Sequence, residues 1–238
     1  MEALDPKLSR FTEERGGNCT RDTQRCAAAT NYRSATPHCC RQHIRDLVAY
    51  VADLCDELGV TWWADYGTLL GAVRNGGIIP HDKDADVCVD GPGFDALVDA
   101  FPETPWETAR TGRPRRMRDL HGFRWIHQLE RNKHNRGRYV YSGGNSLKIQ
   151  LSPTNRTNID IFPFLERPDG TMYRTRYVGC DRFKGKEFHR DRLYPLTELP
   201  WEDRMIPVPN DPEWFCAHRY GREWRTPIEA NNDGTART

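Results

Sequence analysis

The segment from Gly67 to Asp90, GTLLGAVRNGGIIPHDKDADVCVD, sets three aspartates one residue apart, Asp82, Asp84 and Asp86, directly ahead of an apolar run. In an extended chain, residues two apart share a face, so Asp84 and Asp86 project together while Val87 and Val89 turn to the other side. Two carboxylates held that close repel unless a cation lies between them. A further acid, Asp160, stands between Ile159 and Ile161 in the apolar run NIDIFPFLE, where an isolated solvated charge is expensive. Any fold for this chain must therefore bury one face of these strands and leave the other where charge is tolerated.

Periodicity places the neighbouring elements. Ile44, Leu47, Val48, Val51, Leu54, Cys55 and Leu58 recur at helical spacing from Arg41 to Leu58, and Gly59 closes that helix. VTWWADYG is predicted as a strand ending at Gly67, and TLLGAVR as a short helix capped by Thr68. ADVCVD is a strand and GFDALVDAF a helix. Residues 102–137 are expected to be loop-like and basic, with RPRRMR at 113–118. Extended segments follow at RYVYS, SLKIQLS and NIDIFPFLE, with TMYRTRYV as a hairpin partner. One helix is expected near residues 211–220 in a Pro- and Trp-rich tail. Trp62, Trp63, Trp125, Trp201 and Trp224 are expected in the core or in a cleft wall.

A chain of 238 residues without an evident linker suits one core with a small appendage. With 35 basic against 34 acidic residues, bulk attraction to nucleic acid or to anionic membranes is excluded, and any charge-based binding must be local. No stretch approaches the length of a spanning helix, and the N-terminus lacks the apolar region of a signal peptide. The expectation is a cytoplasmic protein as written, or a Golgi-luminal one if an anchor has been trimmed away; the sequons at Asn18 and Asn155 would matter only in the second case.

Gathering Asp84, Asp86 and Asp160 around one Mg²⁺ or Mn²⁺ satisfies all three, because hard ions take carboxylate oxygens and complete their shells with water or phosphate. The bland alternative is an acidic loop before a strand, with Asp160 paired to an arginine. The order of elements favours the ion. Gly67 lets backbone approach a phosphate, and the helix beginning at Thr68 presents an N-terminus to an anion. Arg74 and Lys148 are candidates for phosphate contacts, or else solvated surface cations. The basic run at 113–118 is a solvated loop or a surface for an anionic acceptor.

Cys19, Cys26, Cys39 and Cys40 fall in a 22-residue window of a segment with no apolar period. Four thiolates can close a tetrahedral zinc site; two disulfides or unconnected thiols are the alternatives. Cys55 and Cys88 suit small buried hydrophobes, and Cys180 and Cys216 have no assigned role.

The series from Gly67 to Gly71, then Arg74, Ile79-Pro80 and Asp82-Lys83-Asp84-Ala85-Asp86, resembles the LicD and fukutin-related branch of the nucleotidyltransferase superfamily. The resemblance continues at NIDIFPF, at LYPLTELPWEDRMIPVPNDPEWF and at YGREW (Tyr220 to Trp224), covering roughly residues 41–227. Lys83 and Ala85 depart from it, since members often carry a bulkier or apolar residue there. The resemblance implies an α+β fold: a nucleotidyltransferase-like mixed sheet flanked by helices over residues 41–238, with a small cysteine-rich zinc loop over residues 1–40. It implies that Cys19, Cys26, Cys39 and Cys40 hold a structural zinc. It also implies transfer of a phospho-alditol, with ribitol phosphate favoured over glycerol phosphate or phosphocholine, from a CDP-activated donor to a glycan hydroxyl, releasing CMP. In that chemistry Asp84, Asp86 and Asp160 hold the ion, Asp82 is a base or orients bound water, and Gly67, Thr68, Arg74 and Lys148 face the donor. Transfer of the nucleotide half onto a small molecule, and an inactive zinc-ordered glycan-binding module, are the competing expectations.

Overall fold

A computed structural model of the protein describes residues 19–24, 36–100, 105, 107–108, 114–132, 140–174 and 187–227. Helix α1 (His38–Leu58) starts three residues before the expected Arg41 and ends at Gly59, whose φ of 65° is the left-handed cap that a glycine adopts without strain. Strand β1 (Trp62–Ala64) leads into α2 (Tyr66–Asn75), then β2 (Asp84–Asp90) and α3 (Gly91–Asp99). Next come β3 (Glu107–Thr108), β4 (Pro114–Leu120), β5 (Phe123–Asn132), β6 (Val140–Gln150) and β7 (Asn158–Glu166). The chain closes with β8 (Thr171–Arg174), β9 (Phe188–His189), a 3-10 turn (Arg190–Arg192), β10 (Thr197–Trp201), β11 (Arg204–Val208) and α4 (Pro212–Tyr220).

The main sheet runs β1-β2-β7-β6-β5-β4-β3, with β8 and β9 continuing from the far half of β7. Only the β2–β7 pair is parallel among these; the sheet is mixed and flanked by helices, as the resemblance implies. β10 and β11 form a separate hairpin.

Alternation along β2, β7, β6 and β5 gives the sheet two unlike faces. Val87, Val89, Ile159, Ile161, Leu147, Ile149 and Trp125 lie on one, all fully buried. The α1 stripe and α3 close over that face. Tyr50 of α1 meets Trp125 edge-on and gives its hydroxyl to the Trp125 indole N–H as acceptor at 3.2 Å, while Phe94 of α3 meets His127. Each fully buried Val, Leu or Ile here contributes about 1.5–3 kcal/mol relative to exposure. The opposite face carries Asp84, Asp86, Asp160 and Lys148, and α2 crosses it, with Tyr66 edge-on to Phe162. All five tryptophans singled out from the sequence are buried.

Residues 114–120 and 123–132 form a pair of antiparallel strands where the sequence suggests a loop. The adjacent Arg118 and Asp119 are both exposed and Arg124 is half-buried, which hides the two-residue period. RPRRMR is thereby split across two faces of β4, Arg115 opposite Gln128 and Arg116 opposite His127; its first residue, Arg113, lies outside the described residues. Among those described, no helix is long and apolar enough to cross a membrane.

Candidate active site

The site is built outward from Asp65. Helix α2 begins at Tyr66, two residues before the expected start, because the Asp65 carboxylate accepts from the Tyr66 N–H at 2.7 Å and caps the helix in place of Thr68. Tyr66 has φ 48°, a left-handed conformation that a bulky residue adopts only when its surroundings impose it. They do so here. Arg219 of α4 grips both Asp65 oxygens, Nε at 3.0 Å and Nη2 at 2.6 Å, and these side chains are 2% and 0% exposed. Burial works against the Arg219 charge, but the adjoining Asp65 carboxylate more than offsets it and raises the guanidinium's pKa. The guanidinium also lies among the rings of Tyr66, Phe164, Phe188 and Phe215.

Fixing Tyr66 fixes the first turn of α2 against the acids. A Cβ on Gly67 would lie 2.6 Å from Asp82 Oδ2 and 3.7 Å from Asp86 Oδ2, so only glycine allows the carboxylates this approach. The Thr68 hydroxyl accepts from the Asp86 N–H at 2.8 Å and ties the helix to β2. From the other side, Thr36 donates its N–H to the Pro80 carbonyl at 2.6 Å and its hydroxyl to the Asp82 carbonyl. Glu202, in the β10–β11 turn, anchors the loop before the acids: it accepts from the Ile78 N–H at 2.8 Å and pairs with Arg41.

Strand register then lines up the charges. Asp86 stands beside Asp160 across the parallel pair, and Lys148 stands opposite Asp160 across the antiparallel pair. Lys148 Nζ reaches Asp160 Oδ2 at 2.6 Å. The Asn158 side-chain amide donates to Asp160 Oδ2 at 3.2 Å and to Asp84 Oδ2 at 3.4 Å. The carboxylates keep partial contact with solvent, yet protein surrounds most of each. Burial, with Asp84 adding to it, pushes the Asp82 carboxyl up to about 7. Burial likewise lifts Asp86 well above the ordinary range; Asp84, Asp160 and Asp82 reinforce this and Lys148 opposes it. Such a group is short of positive charge.

Of the residues singled out in the sequence, Gly67, Thr68, Asp82, Asp84, Asp86, Asp160 and Lys148 are brought together. Arg74 sits at the far end of α2, where Nη1 reaches the Trp224 carbonyl at 3.5 Å. Lys83, the departure noted in the acidic run, is buried at 3% exposure. Among the described residues, no three His, Cys, Asp or Glu side chains converge into a ready-made metal cage. The donors of Asp84, Asp86 and Asp160 are nonetheless all carboxylate oxygens in mutual repulsion, the donor chemistry that fits a hard divalent ion.

Cys39 and Cys40 occupy the first turn of α1, and Cys26 and Cys180 lie outside the described residues. The chain around Cys19 is docked by His43, Asn155 and Ser152: Asn155 donates to the Thr20 carbonyl at 3.0 Å, and Ser152 donates to the Arg21 carbonyl. Burial brings His43 down to about 4, so it is neutral there. Cys55, Cys88 and Cys216 are buried, the first two as expected.

Several residues at the site escaped sequence reasoning. Asn158 carries a usable signal, since it lies two before Asp160 and therefore on its face. Arg174 of β8 lies 3.6 Å over the Phe162 ring and donates to the Tyr66 hydroxyl at 3.1 Å, a placement that depends on a hairpin register. Tyr220, the first residue of YGREW, remains 44% exposed. Desolvation of its hydroxyl, reinforced by the charges of Asp86, Asp65 and Asp82, raises its pKa well above the ordinary value.

The nucleotidyltransferase domain described as LicD/FKTN/FKRP matches residues 59–211. The mouse (Mus musculus) ribitol 5-phosphate transferase FKRP is 30% identical over 186 residues, covering 78% of this chain and 33% of that protein. The human (Homo sapiens) ribitol 5-phosphate transferase FKRP is 29% identical over 211 residues, 85% of this chain and 38% of that protein. The mouse ribitol-5-phosphate transferase FKTN is 27% identical over 197 residues, 79% and 34% respectively. The chain thus spans about a third of the length of the curated relatives it matches. The matched segment holds Gly67, Thr68, every acid of the cluster and Lys148, and on that footing the chain belongs to the LicD/FKTN/FKRP nucleotidyltransferase-domain family.

Proposed function

We propose that the protein is a metal-dependent transferase that moves a phospho-alditol, ribitol phosphate first among the choices, from a CDP-activated donor to a glycan hydroxyl and releases CMP. The observation that carries this reading is the crowding of Asp82, Asp84, Asp86 and Asp160 on one sheet face against the first turn of α2, with too little positive charge among them. The names of the relatives, ribitol 5-phosphate transferases, support the choice of head group. Asp84, Asp86 and Asp160 would hold Mg²⁺ or Mn²⁺, which when bound neutralises charge on the donor diphosphate.

This chain's own groups do the rest. The N-terminal turn of α2, at Gly67 and Thr68, presents backbone dipoles to the diphosphate. Asp82, packed against Gly67 at the first turn of α2 and beside the ion's ligands, is placed to take the acceptor's proton. The acceptor oxygen bonds to the phosphorus that carries the alditol as its proton passes to Asp82. The bridging P–O bond breaks, and the electron pair leaves with CMP. A structural zinc on Cys19, Cys26, Cys39 and Cys40 would fasten the N-terminal segment to the start of α1; thiolate donors suit that ion.

The test is CMP release by purified protein with Mg²⁺ or Mn²⁺, offered CDP-ribitol, CDP-glycerol and CDP-choline in parallel with a glycan acceptor. One donor should turn over, and Asp84→Asn should lower that turnover by at least about a hundredfold, the loss of a few kcal/mol of transition-state stabilisation. No turnover with any donor, together with no Mn²⁺ binding, would sink the reading.

A further inference from the structure

We propose that Lys148 is the built-in counter-cation of the acid cluster, held on Asp160 until a divalent ion displaces it and then released toward the donor's diphosphate. The inference rests on the reading above that Asp84, Asp86 and Asp160 take that ion.

The geometry is that of a placeholder. Lys148 Nζ and the Asn158 amide both bond to the same oxygen, Asp160 Oδ2, at 2.6 and 3.2 Å. An ion cannot take that oxygen at full strength while the ammonium stays. The bond is breakable, because the Lys148 and Asp160 side chains are 23% and 16% exposed and a lysine makes a single-point contact on a flexible four-carbon stem. The lysine backbone, by contrast, is fixed in β6 directly opposite Asp160, so Nζ can swing only within reach of the same cluster. An ammonium has three donors and no acceptor, so an anion is the partner it turns to. The donor's diphosphate is the anion expected there.

The consequence is a pair of effects with opposite signs, which a purely structural lysine does not produce. Lys148 opposes the ion and favours the nucleotide. In Mn²⁺ titrations followed by electron paramagnetic resonance on the nucleotide-free chain, Lys148→Met is expected to bind Mn²⁺ about three- to fivefold more tightly, the equilibrium factor of a partly exposed ion pair. At saturating Mn²⁺, the same variant is expected to bind CDP about tenfold more weakly, having lost a charge-assisted contact. Without Mn²⁺ it should melt at a lower temperature than wild type, and the gap should narrow when Mn²⁺ is added.

If Lys148→Met does not fold, Lys148→Gln, which keeps a polar head group, gives the same comparison. Unchanged or weaker Mn²⁺ binding in a folded variant overturns the inference and leaves the active-site reading standing. Absence of Mn²⁺ binding in wild type overturns both.

Discussion

Two ionic groups lie close together in this fold and differ in nearly every physical respect. Asp65 and Arg219 form a one-to-one pair, bidentate, fully buried and ringed by aromatic side chains. Asp82, Asp84, Asp86 and Asp160 crowd together, with Lys148 and the Asn158 amide on Asp160, keep contact with solvent, and their proximity and burial raise the proton affinity of Asp82 and Asp86. The first group is balanced and holds α4 to the start of α2. The second is unbalanced and is positioned by the first. Charge balance thus separates a lock from a site, although both are made of aspartates in apolar strands or beside them.

Breaking the balanced pair should give the largest effect. Arg219→Met leaves the Asp65 carboxylate buried without its partner, a change that costs about 3–5 kcal/mol. Chemical denaturation should register that loss, and addition of Mn²⁺ should not restore it. An Arg219→Met protein within about 0.5 kcal/mol of wild type would mean that the aromatic ring cluster, rather than the ion pair, holds α4, and the contrast between the two groups would fail.

The same contrast explains what the sequence could and could not disclose. The α1 stripe, the alternation in β2 and the lone acid in β7 are local patterns, and all three elements stand where those patterns put them. The start of α2 is set by a contact 154 residues away in sequence, so Thr68 looks like the cap while Asp65 is. β4 and β5 carry exposed Arg118 and Asp119 and half-buried Arg124, while the adjacent Trp125 and Ile126, on opposite faces, are both buried, so no two-residue alternation shows in the sequence. At the site the acids were legible because repulsion demands a reason. Asn158 was legible too, lying two residues before Asp160 on the same strand face, but Arg174 and Tyr220 were not, since they owe their places to hairpin register and to the docking of α4.

A middle-sized effect is expected where the lock meets the site. Gly67→Ala puts a methyl carbon 2.6 Å from Asp82 Oδ2, which forces either the helix turn or the carboxylate to move. Overpacking of this kind costs about 1–3 kcal/mol. The contact with Asp86 Oδ2 at 3.7 Å is ordinary, so it is the movement forced at Asp82, next to the ion's ligands, that should also weaken Mn²⁺ binding. Stability and Mn²⁺ affinity measured together sharpen the comparison: Arg219→Met should move the first far more than the second, while Gly67→Ala should move both.

The smallest effect tests the unbalanced group alone and turns on its sign. The Asp82 carboxyl is raised from 3.8 in the open chain to about 7 in the folded protein by burial and by Asp84. The folded chain therefore holds a proton that the unfolded chain has already released across that interval. Its stabilising contribution is fully present below pH 3.8 and is lost as pH rises through about 7. With solvent contact allowed for, the loss is on the order of 1 kcal/mol. Other groups titrate in the same range, so the quantity to follow is the stability of wild type minus that of Asp82→Asn, which cannot ionise there. That difference should decline from pH 4 to pH 7 in chelator and flatten in saturating Mn²⁺, where an ion among the neighbouring carboxylates offsets the negative charge. A difference that rises with pH would mean that Asp82 is stabilised as a carboxylate, and the cluster would then be as well balanced as Asp65 and Arg219.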